Sequence, residues 1–514
     1  MSHRNLVVCC DGTWNTPKQA RQGVPTPTNV VKLFAACEED DTQLKYYHPG
    51  VGTEGSRLKR MIDGGIGRGL DRNIQSAYKW LCAQYRSGDR IFLFGFSRGA
   101  YTVRSLSGFI LGCGLLDIRG LDPEETWKRI DTAYDRGYRH KKEKSVWGGD
   151  WPRLIGEKDR PPEIHFVGVW DTVGARGIPD DMVLADLLLE DPGRYEFHDT
   201  RLDARVHHAY HAVALDEIRS SFAPTLWRLP ETPRPEGTTF EQLWFPGNHG
   251  DVGGGHPECG LSDIALQWMA DHAEAQGLRL DSDLLDQLTP DSCGVLHDHL
   301  DGIWSKLRTL PRAVPLISEE RIWIDLHPCV WERHQIPPIT QSPYRRTCNL
   351  RPGKRWSRDI FARDRWNDTG VWLDADATYT FHAEGEWIDW FNSFGPDGLQ
   401  GGRFEPRHWA YALGDLIGGI ERLYRKRPQK QEADFGGTRR CEDSPWFALT
   451  GMVANQPDAD GSGTPPSGEY FTIGSHRTFS PQKSGYLYCF ANDAWGLYDN
   501  NRGSLYLTIE RIET

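Results

Sequence analysis

A serine at a strand-to-helix turn constrains this chain more than any other feature of its sequence. Residues 95–99 have the sequence GFSRG and lie between an apolar, strand-like run at 91–94 and a helix-compatible stretch that begins at Ala100. Such a turn holds its serine on a strained backbone above a helix N-terminus, which exposes the hydroxyl as a nucleophile for acyl transfer. Because the chain has 54 glycines in 514 residues, chance alone gives a Gly-x-Ser-x-Gly match about 0.3 times. The flanking pattern therefore carries most of the prediction, and the alternative is an ordinary glycine-rich turn with a solvated serine.

The first 350 residues alternate between strand and helix patterns. Short apolar runs of the kind found in buried parallel sheets occur at 6–10, 44–48, 91–94, 164–170 and 242–245. Helix-compatible stretches occur at 70–85, 100–112 and 262–275, and Ser262 with Asp263 is a candidate N-cap for the last of them. These patterns predict an α/β fold with a doubly wound, mostly parallel sheet, which would bind ligands beyond the carboxyl ends of its strands. Polar insertions at about 117–162 and 281–344 are candidates for a lid, a partner surface or inert surface structure.

An acid and a base follow the serine in the order that an α/β hydrolase requires. Asp171 comes directly after the fourth strand pattern, and His249 follows the fifth in a flexible, glycine-rich loop. In such a triad the imidazole removes the serine proton, while the carboxylate fixes the imidazole tautomer and stabilises the imidazolium. The sequence therefore predicts a triad of Ser97, Asp171 and His249. His256 stays open as an alternative base, and we expect Asp251 to brace the glycine loop.

An oxyanion hole needs two backbone N–H groups, one of which comes from the residue after the nucleophile. Arg98 is that residue. The second N–H comes from a loop after an earlier strand, and Gly12 or Thr13 is the best candidate because both follow the first strand pattern. The same segment partly matches the Asp-x-Asp-Gly-Thr motif of phosphatases with an aspartyl nucleophile. Cys9 stands at the nucleophile position of that motif and cannot form an aspartyl phosphate, so the phosphatase hypothesis is disfavoured.

Charge and composition exclude several classes of protein. The formal net charge of −12 argues against a nucleic-acid-binding protein, which normally concentrates positive charge on one face. The eleven cysteines form no Cys-x-x-Cys pairs and are typical of a chain made in a reducing cytosol. The N-terminal residues run directly into a strand pattern and do not resemble a cleavable secretory signal. A protein of this kind that works outside the cell would need an export route without such a signal.

Four motifs of this sequence together resemble a known family. They are DGTWN at 11–15, GFSRGA at 95–100, GVWDTVG at 168–174 and HGDVGGG at 249–255. Their order resembles the α/β-hydrolase domain of the type VI secretion lipase effectors of the first group, over about residues 5–280. The resemblance implies a serine esterase that acts on phospholipid acyl chains, with Ser97 as nucleophile, Asp171 as acid and His249 as base. The family often has an aromatic residue after the glycine run, where this chain has His256, and this keeps that histidine open as a base.

The chain changes character near residue 351. A basic stretch at about 351–365, which includes Pro352 and Gly353, is typical of a linker. Short alternating strand patterns then predict a β-sandwich over 366–514, and they lie at 371–373, 379–383, 486–490 and 504–509. The sandwich is interrupted at about 401–444 by apolar residues at helical spacing with a basic end. This amphipathic helix would pack on its own domain or rest on anionic lipid.

The predicted sandwich carries a second resemblance, to the calcium-dependent galactophilic bacterial lectins. Its strongest part is the sequence NDAWGLYDNNRGS at 492–504. The resemblance implies a glycan ligand and a Ca²⁺ site whose ligands are Asp493, the carbonyl of Leu497, Asn500, Asn501 and, as a further ligand, the carbonyl of Trp390. Ca²⁺ takes six to eight oxygen ligands and accepts amide and backbone oxygens, so these residues suit it. The alternative is an Asn/Asp-rich turn that needs no metal.

We therefore expect a two-domain serine hydrolase, with a catalytic domain at 1–350 and a sandwich at 366–514. The expected activity is that of a phospholipase or related lipid esterase acting as a type VI secretion antibacterial effector, with no cofactor needed for the triad. The expected partners are a lipid or membrane surface, a glycan, a component of the secretion apparatus and an immunity protein, but no nucleic acid. We expect synthesis in the cytoplasm. The alternative is a carbohydrate-binding adhesion or defence module whose hydrolase-like domain is an inert scaffold.

Overall fold

The structure is a computed structural model. It describes residues 3–12, 15–16, 18–21, 23–50, 65–139, 162–174, 201–229, 233–298, 308–399, 438–455 and 468–512. Thr13 and most of the predicted insertion at 401–444, including its amphipathic helix, lie outside these residues. Within them, no helix has both the length and the apolar character needed to cross a membrane.

Six parallel strands form the central sheet of the first part of the chain. These six strands are β1 (Asn5–Cys10), β4 (Gln43–His48), β5 (Arg90–Phe96), β6 (Ile164–Trp170), β7 (Val206–Ala214) and β8 (Thr239–Phe245). Two further strands, β2 (Ala20–Arg21) and β3 (Val24–Pro25), form a separate small hairpin. The sheet has the order β4-β1-β5-β6-β7-β8, with every neighbouring pair parallel. This confirms the predicted α/β class. The sequence patterns missed β7, because polar histidines interrupt its apolar run although His208 and His211 are buried.

Helices cover both faces of this sheet. The described α-helices are Asn29–Ala36, Gly65–Gln84, Arg98–Cys113, Pro123–Thr132 with a π-helical extension Ala133–Arg139, His249–Gly253, Gly260–Ala275, Ser282–Leu285 and Pro328–Gln335. Alternate residues of β1 serve opposite faces, as a strand requires. Leu6 packs with the core under the helices Gly65–Gln84 and Arg98–Cys113, and Val7 packs with the core under Asn29–Ala36 and Gly260–Ala275.

One predicted helix cap is wrong. The last long helix begins at Gly260, after Cys259 as N-cap, and not at Ser262–Asp263. The Asp263 side chain is used elsewhere, since its carboxylate pairs with Lys32 at 2.6 Å and accepts a hydrogen bond from the Thr289 N–H at 3.0 Å. Tertiary partners thus override the local capping preference.

A β-sandwich follows the central sheet. Its strands are β9 (Cys348–Asn349), β10 (Arg355–Phe361), β11 (Asn367–Leu373), β12 (Tyr379–Asp389), β13 (Asn392–Phe394), β14 (Leu449–Asn455), β15 (Glu469–Thr472), β16 (His476–Phe479), β17 (Gly485–Ala491) and β18 (Asn501–Arg511). One sheet has the order β10-β18-β12-β13 with β16 beside β12, and the other has the order β15-β14-β17-β11-β9. The two sheets enclose a shared apolar core that includes Phe381 and Leu505 from the first and Leu449 and Leu487 from the second.

The structure differs from the predicted linker at 351–365. Residues 355–361 form β10, which pairs antiparallel with β18 along its whole length. The basic and polar residues of β10 are exposed, while Ile360 is buried in the sandwich core. An apolar cluster also joins the sandwich to the central sheet, with Trp244 on one side and Tyr486 on the other.

Candidate active site

Ser97 occupies the turn between β5 and the helix Arg98–Cys113. Its φ of 57° and ψ of −123° are rare for a residue with a side chain and cost on the order of 1–3 kcal/mol. Two glycines allow the turn to close. A Cβ on Gly95 would lie 2.5 Å from the carbonyl oxygen of Gly99, and a Cβ on Gly99 would lie 2.0 Å from the carbonyl oxygen of Cys10. The turn thus has the strained form that the GFSRG sequence predicts.

Asp171 follows β6 and is fully buried. Its Oδ2 lies 2.6 Å from His249 Nδ1, and its Oδ1 accepts a hydrogen bond from the Ala214 N–H at 3.0 Å. Burial raises the pKa of this carboxyl, but the Arg312 charge and the hydrogen bonds from His249 and Arg312 outweigh burial and hold the pKa below its usual range. Asp171 is therefore ionised at neutral pH. An ionised carboxylate only accepts hydrogen bonds, so the proton between the two side chains belongs to His249 Nδ1.

His249 is the first residue of the short helix His249–Gly253. We predicted a flexible loop here, but the structure holds the histidine in a capped turn. The Asn248 side chain accepts from the Asp251 N–H at 2.8 Å, and the Asp251 carboxylate accepts from the Asn248 N–H at 3.0 Å. Reciprocal bonds of this kind fix the start of a helix. The glycines after His249 serve close packing, because a Cβ on Gly253 would lie 2.0 Å from the ring of Phe96.

Aromatic rings form part of the surroundings of the His249 imidazole. Phe96 and Phe222 pack on it, with ring centroids 4.5 and 4.9 Å away. Burial lowers the pKa of His249, and the opposing influence of Asp171 does not fully restore it. The imidazole is therefore neutral at neutral pH, which is the form that can accept a proton from a serine hydroxyl.

Backbone hydrogen bonds tie Ser97 to the turn that carries Asp171. The Ser97 N–H donates to Trp170 O at 3.0 Å, and the Val173 N–H donates to Ser97 O at 3.4 Å. No hydrogen bond joins Ser97 Oγ directly to His249, both of which the structure describes. Catalytic hydrogen bonds are often long in enzymes without substrate and tighten when substrate binds.

The expected oxyanion residues have different surroundings. Arg98 is the first residue of its helix, so its backbone N–H lies at the helix end toward Ser97. A Cβ on Gly12 would lie 3.1 Å from Ser97 Cβ, and this glycine therefore comes directly up to the nucleophile. The Gly12 N–H donates to Asp11 Oδ1 at 2.7 Å, so in this structure that donor is directed to Asp11. Thr13 lies outside the described residues.

His256 has partners other than the triad acid. Its Nδ1 lies 3.0 Å from the guanidinium of Arg21, and its ring stacks on that of His297 with centroids 3.9 Å apart. His297 in turn bonds Asp251, with 2.6 Å between Nδ1 and Oδ1. Of the two candidate bases, His249 is the one that pairs with Asp171.

Sequence reasoning missed a buried arginine at the site. Arg312 lies within the polar insertion at 281–344 and donates to both carboxylate oxygens of Asp171, at 2.7 and 2.9 Å. The available signal was an arginine inside the otherwise apolar run LPRAVPL at 310–316. An arginine in such a run is buried only when it pairs with an opposite charge. The sequence does not show which carboxylate supplies that charge.

The residues expected to bind Ca²⁺ lie together at one edge of the sandwich. Asn501 Nδ2 donates to the buried Asp493 carboxylate at 3.0 Å, and Asn500 Nδ2 donates to Asp389 at 2.6 Å. Burial and then the nearby charge of Asp389 raise the pKa of Asp493 to about 7. Trp390 follows Asp389 at a hairpin tip with a φ of 53°, and Leu497 lies on the 3₁₀ turn Trp495–Asn500. The sequence predicted the carbonyl of the adjacent Trp390 as a further ligand but did not point to Asp389.

The first part of the chain matches a protein family. Residues 4–272, just over half of the chain, match the model of the catalytic domain of Tle1-like phospholipase effectors of the type VI secretion system. A curated relative is the uncharacterized protein YEL023C of Saccharomyces cerevisiae, 31% identical over 239 residues. That match covers 43% of this chain and 32% of the yeast protein, so the chain spans about a third of the length of this relative.

Three solved structures show some similarity. An uncharacterized protein from Pseudomonas aeruginosa is 21% identical, with a TM-score of 0.32, and the match covers 54% of this chain and 46% of that one. The Tle1 effector bound to the VgrG spike of the type VI secretion system is 15% identical, with a TM-score of 0.29 and coverages of 70% and 64%. The N-terminal domain of EclA, a PllA-like lectin, is 17% identical, with a TM-score of 0.19 and coverages of 30% and 95%.

Proposed function

This chain belongs to the Tle1-like family of type VI secretion phospholipase effectors, and on that premise we propose that it hydrolyses phospholipid acyl esters through Ser97, Asp171 and His249. One observation supports this assignment above the others. The buried pair of Asp171 and His249, with 2.6 Å between Oδ2 and Nδ1, lies beside a serine on a strained turn. This is the arrangement that a weak nucleophile needs for activation by an oriented base.

The proposed reaction has two halves. His249 Nε2 takes the hydroxyl proton of Ser97 as Oγ attacks the acyl carbonyl carbon, and the Arg98 N–H faces the oxyanion that forms. The intermediate collapses, the ester C–O bond breaks, and the imidazolium returns the proton to the leaving alkoxide, which departs as an alcohol. Water then attacks the acyl-enzyme with His249 again as base, and this releases a fatty acid and restores Ser97. Asp171 stays ionised throughout and stabilises the imidazolium.

The family also supports proposals about partners and location. We propose that the chain is exported by a type VI secretion apparatus through contact with one of its components, since a Tle1 effector has been solved bound to the VgrG spike. Its substrate would be a membrane phospholipid. A producing cell would then need an immunity protein against it.

A Ser97→Ala variant tests the activity. We expect the fold to be retained and esterase turnover to fall by a factor on the order of 10⁶, as for loss of a triad nucleophile. A fluorophosphonate probe should label the wild type at Ser97 and leave the variant unlabelled. Ser107→Ala is a matched control, because Ser107 is a buried serine on the same helix. Hydrolysis that persists in Ser97→Ala would overturn the triad, and an intact but unlabelled wild type would favour the inert-scaffold alternative.

For the sandwich, we propose a Ca²⁺ site formed by Asp493, Asn500 and Asn501, with the carbonyls of Leu497 and Trp390. The donor set fits the ion, because it consists of hard oxygens. Asn501 Oδ1 is buried and has no hydrogen-bond partner among the described residues, which suits an oxygen that ligates a cation. The Asp389 carboxylate adds a second negative charge beside Asp493. This loop is also where we propose that a surface glycan binds.

A further inference from the structure

Arg312 contacts the triad acid more extensively than His249 does. Its Nη1 donates to Asp171 Oδ1 at 2.7 Å and its Nη2 donates to Asp171 Oδ2 at 2.9 Å. Both side chains are buried, with exposed fractions of 3% for Arg312 and 0% for Asp171. Two parallel bonds between a guanidinium and a carboxylate fix the plane of the carboxylate as well as its position. Oδ2 is thus held by Arg312 while it faces His249 Nδ1.

The same guanidinium also bonds the backbone around the triad. Nη1 donates to Ala214 O at 2.6 Å, and Nη2 donates to Phe222 O at 2.6 Å. Ala214 is the last residue of β7, and its own N–H donates to Asp171 Oδ1. Phe222 is one of the two rings that pack on His249. Arg312 therefore connects the acid, the strand end beside the acid and a wall of the histidine pocket.

Residues 308–317, which we call the strap, carry Arg312 to this position and are attached at several points. The Leu310 N–H donates to Ile218 O at 2.6 Å, on the loop after β7. The sandwich holds the strap as well, since Trp366 Nε1 donates to Thr309 O at 3.2 Å and the Ile317 N–H donates to the Tyr486 hydroxyl at 2.9 Å. Arg312 is thus delivered from a segment fixed on both sides.

The charge of Arg312 acts on the triad acid. It holds the pKa of Asp171 low against the effect of burial, as described above. Four other titratable groups lie nearby: Glu217 and Arg219 influence the pKa of His249, while His211 and Arg104 interact with each other and the charge of Asp171 also acts on His211. The first two form a salt bridge at 2.6 Å, and burial lowers the pKa of His211 to about 3, so that it is neutral. Among the residues that the structure describes, Arg312 is the cation that contacts the acid directly.

We propose that Arg312 is a positioning residue of the hydrolase, which keeps Asp171 oriented toward His249 and offsets part of its negative charge. The proposal rests on the proposed function of the triad. An unpaired Asp171 carboxylate would make His249 more basic, because a nearby negative charge favours the imidazolium. A more basic imidazole would be protonated over a wider pH range and would give up its proton to the leaving group less readily.

Two substitutions separate the charge of Arg312 from its geometry. Arg312→Met removes both, and we expect the acid limb of the kcat/KM profile to move up by about one pH unit. We also expect kcat to fall about tenfold to a hundredfold with KM close to the wild-type value, because the acid loses its fixed orientation. Arg312→Lys keeps the charge without the planar fork. It should lower kcat in the same way while leaving the acid limb near its wild-type position.

The matched control is Arg333→Met. Arg333 is a fully buried arginine of the same insertion that bonds the Ser292 and Gly294 carbonyls, both at 2.8 Å, and contacts no triad residue. Its loss should lower the melting temperature without moving the acid limb.

The measurements are pH profiles with a p-nitrophenyl acyl ester and fluorophosphonate labelling of Ser97 in the folded full-length chain. The proposal would be overturned if both Arg312 variants kept the wild-type kcat and the wild-type acid limb of the kcat/KM profile. It would also be overturned if the acid limb moved as far in Arg333→Met as in Arg312→Met. If Arg312→Met does not fold, Arg312→Lys alone tests the proposal. A kcat of Arg312→Lys within about twofold of the wild-type value would contradict the positioning role. Absence of labelling in the wild type would instead overturn the proposed function, and this is established before the variants are compared.

Discussion

The carbonyl oxygen of Cys10 fills the space that a side chain on Gly99 would need. A Cβ at that position would lie 2.0 Å from the oxygen and 2.5 Å from the carbonyl carbon. Cys10 ends β1 and Gly99 lies in the first turn of the helix after Ser97, so the loop after β1 is pressed against the nucleophile turn. This close approach is what brings Gly12 next to Ser97.

Replacing Gly99 with alanine should therefore distort the nucleophile turn. The clash is with backbone, which cannot rotate away, so we expect Gly99→Ala to lower the free energy of unfolding by about 3 kcal/mol or more. Labelling of Ser97 by a fluorophosphonate should fall as well. The control is Gly112→Ala in the same helix, where a Cβ would meet no atom within 4 Å. That substitution should leave stability unchanged or raise it by about 0.5–1 kcal/mol. Equal unfolding midpoints for the two variants in denaturant would contradict this account.

The choice of base is tested by changing each histidine separately. His249→Asn should reduce turnover by a factor on the order of 10⁴–10⁶, because it removes the group that activates the serine. His256→Asn should keep most of the activity, since His256 bonds Arg21 and stacks on His297 and does not pair with Asp171. Steady-state kinetics with an acyl ester measures both. Greater loss in His256→Asn than in His249→Asn would reverse the assignment.

Calcium should stabilise the sandwich if the proposed site binds it. A ligand present at about a hundred times its Kd adds about 2.7 kcal/mol to the stability of the folded state. We therefore expect added Ca²⁺ to raise the melting temperature of the wild type and a chelator to reverse the rise. Asp493→Asn should abolish this response, whereas Asp499→Asn should preserve it, because Asp499 is exposed on the same loop and is not a proposed ligand. A melting temperature that ignores both Ca²⁺ and chelator would count against the site.

Much of the fold was predictable because its elements have local signatures. The strand patterns at 6–10, 44–48 and 164–170 correspond closely to β1, β4 and β6. The failures have local causes too. Buried histidines hid β7, and exposed basic residues made β10 resemble a linker. In both strands, polar residues interrupt the apolar pattern that marks a buried face, and the partners of those residues lie elsewhere in the chain.

The sequence by itself determined the order of serine, acid and histidine at successive strand ends, because strand and turn preferences are written in a few neighbouring residues. Only the tertiary structure decided which partners these groups have. Asp171 and Arg312 are separated by 141 residues, and the pairing of Asp171 with His249 in preference to His256 depends on how the glycine-rich turn packs against Phe96. Such contacts depend on the path of the whole chain. The local pattern around Ser97 therefore predicts a nucleophile, while the residues that would make this serine reactive come from distant segments of the chain.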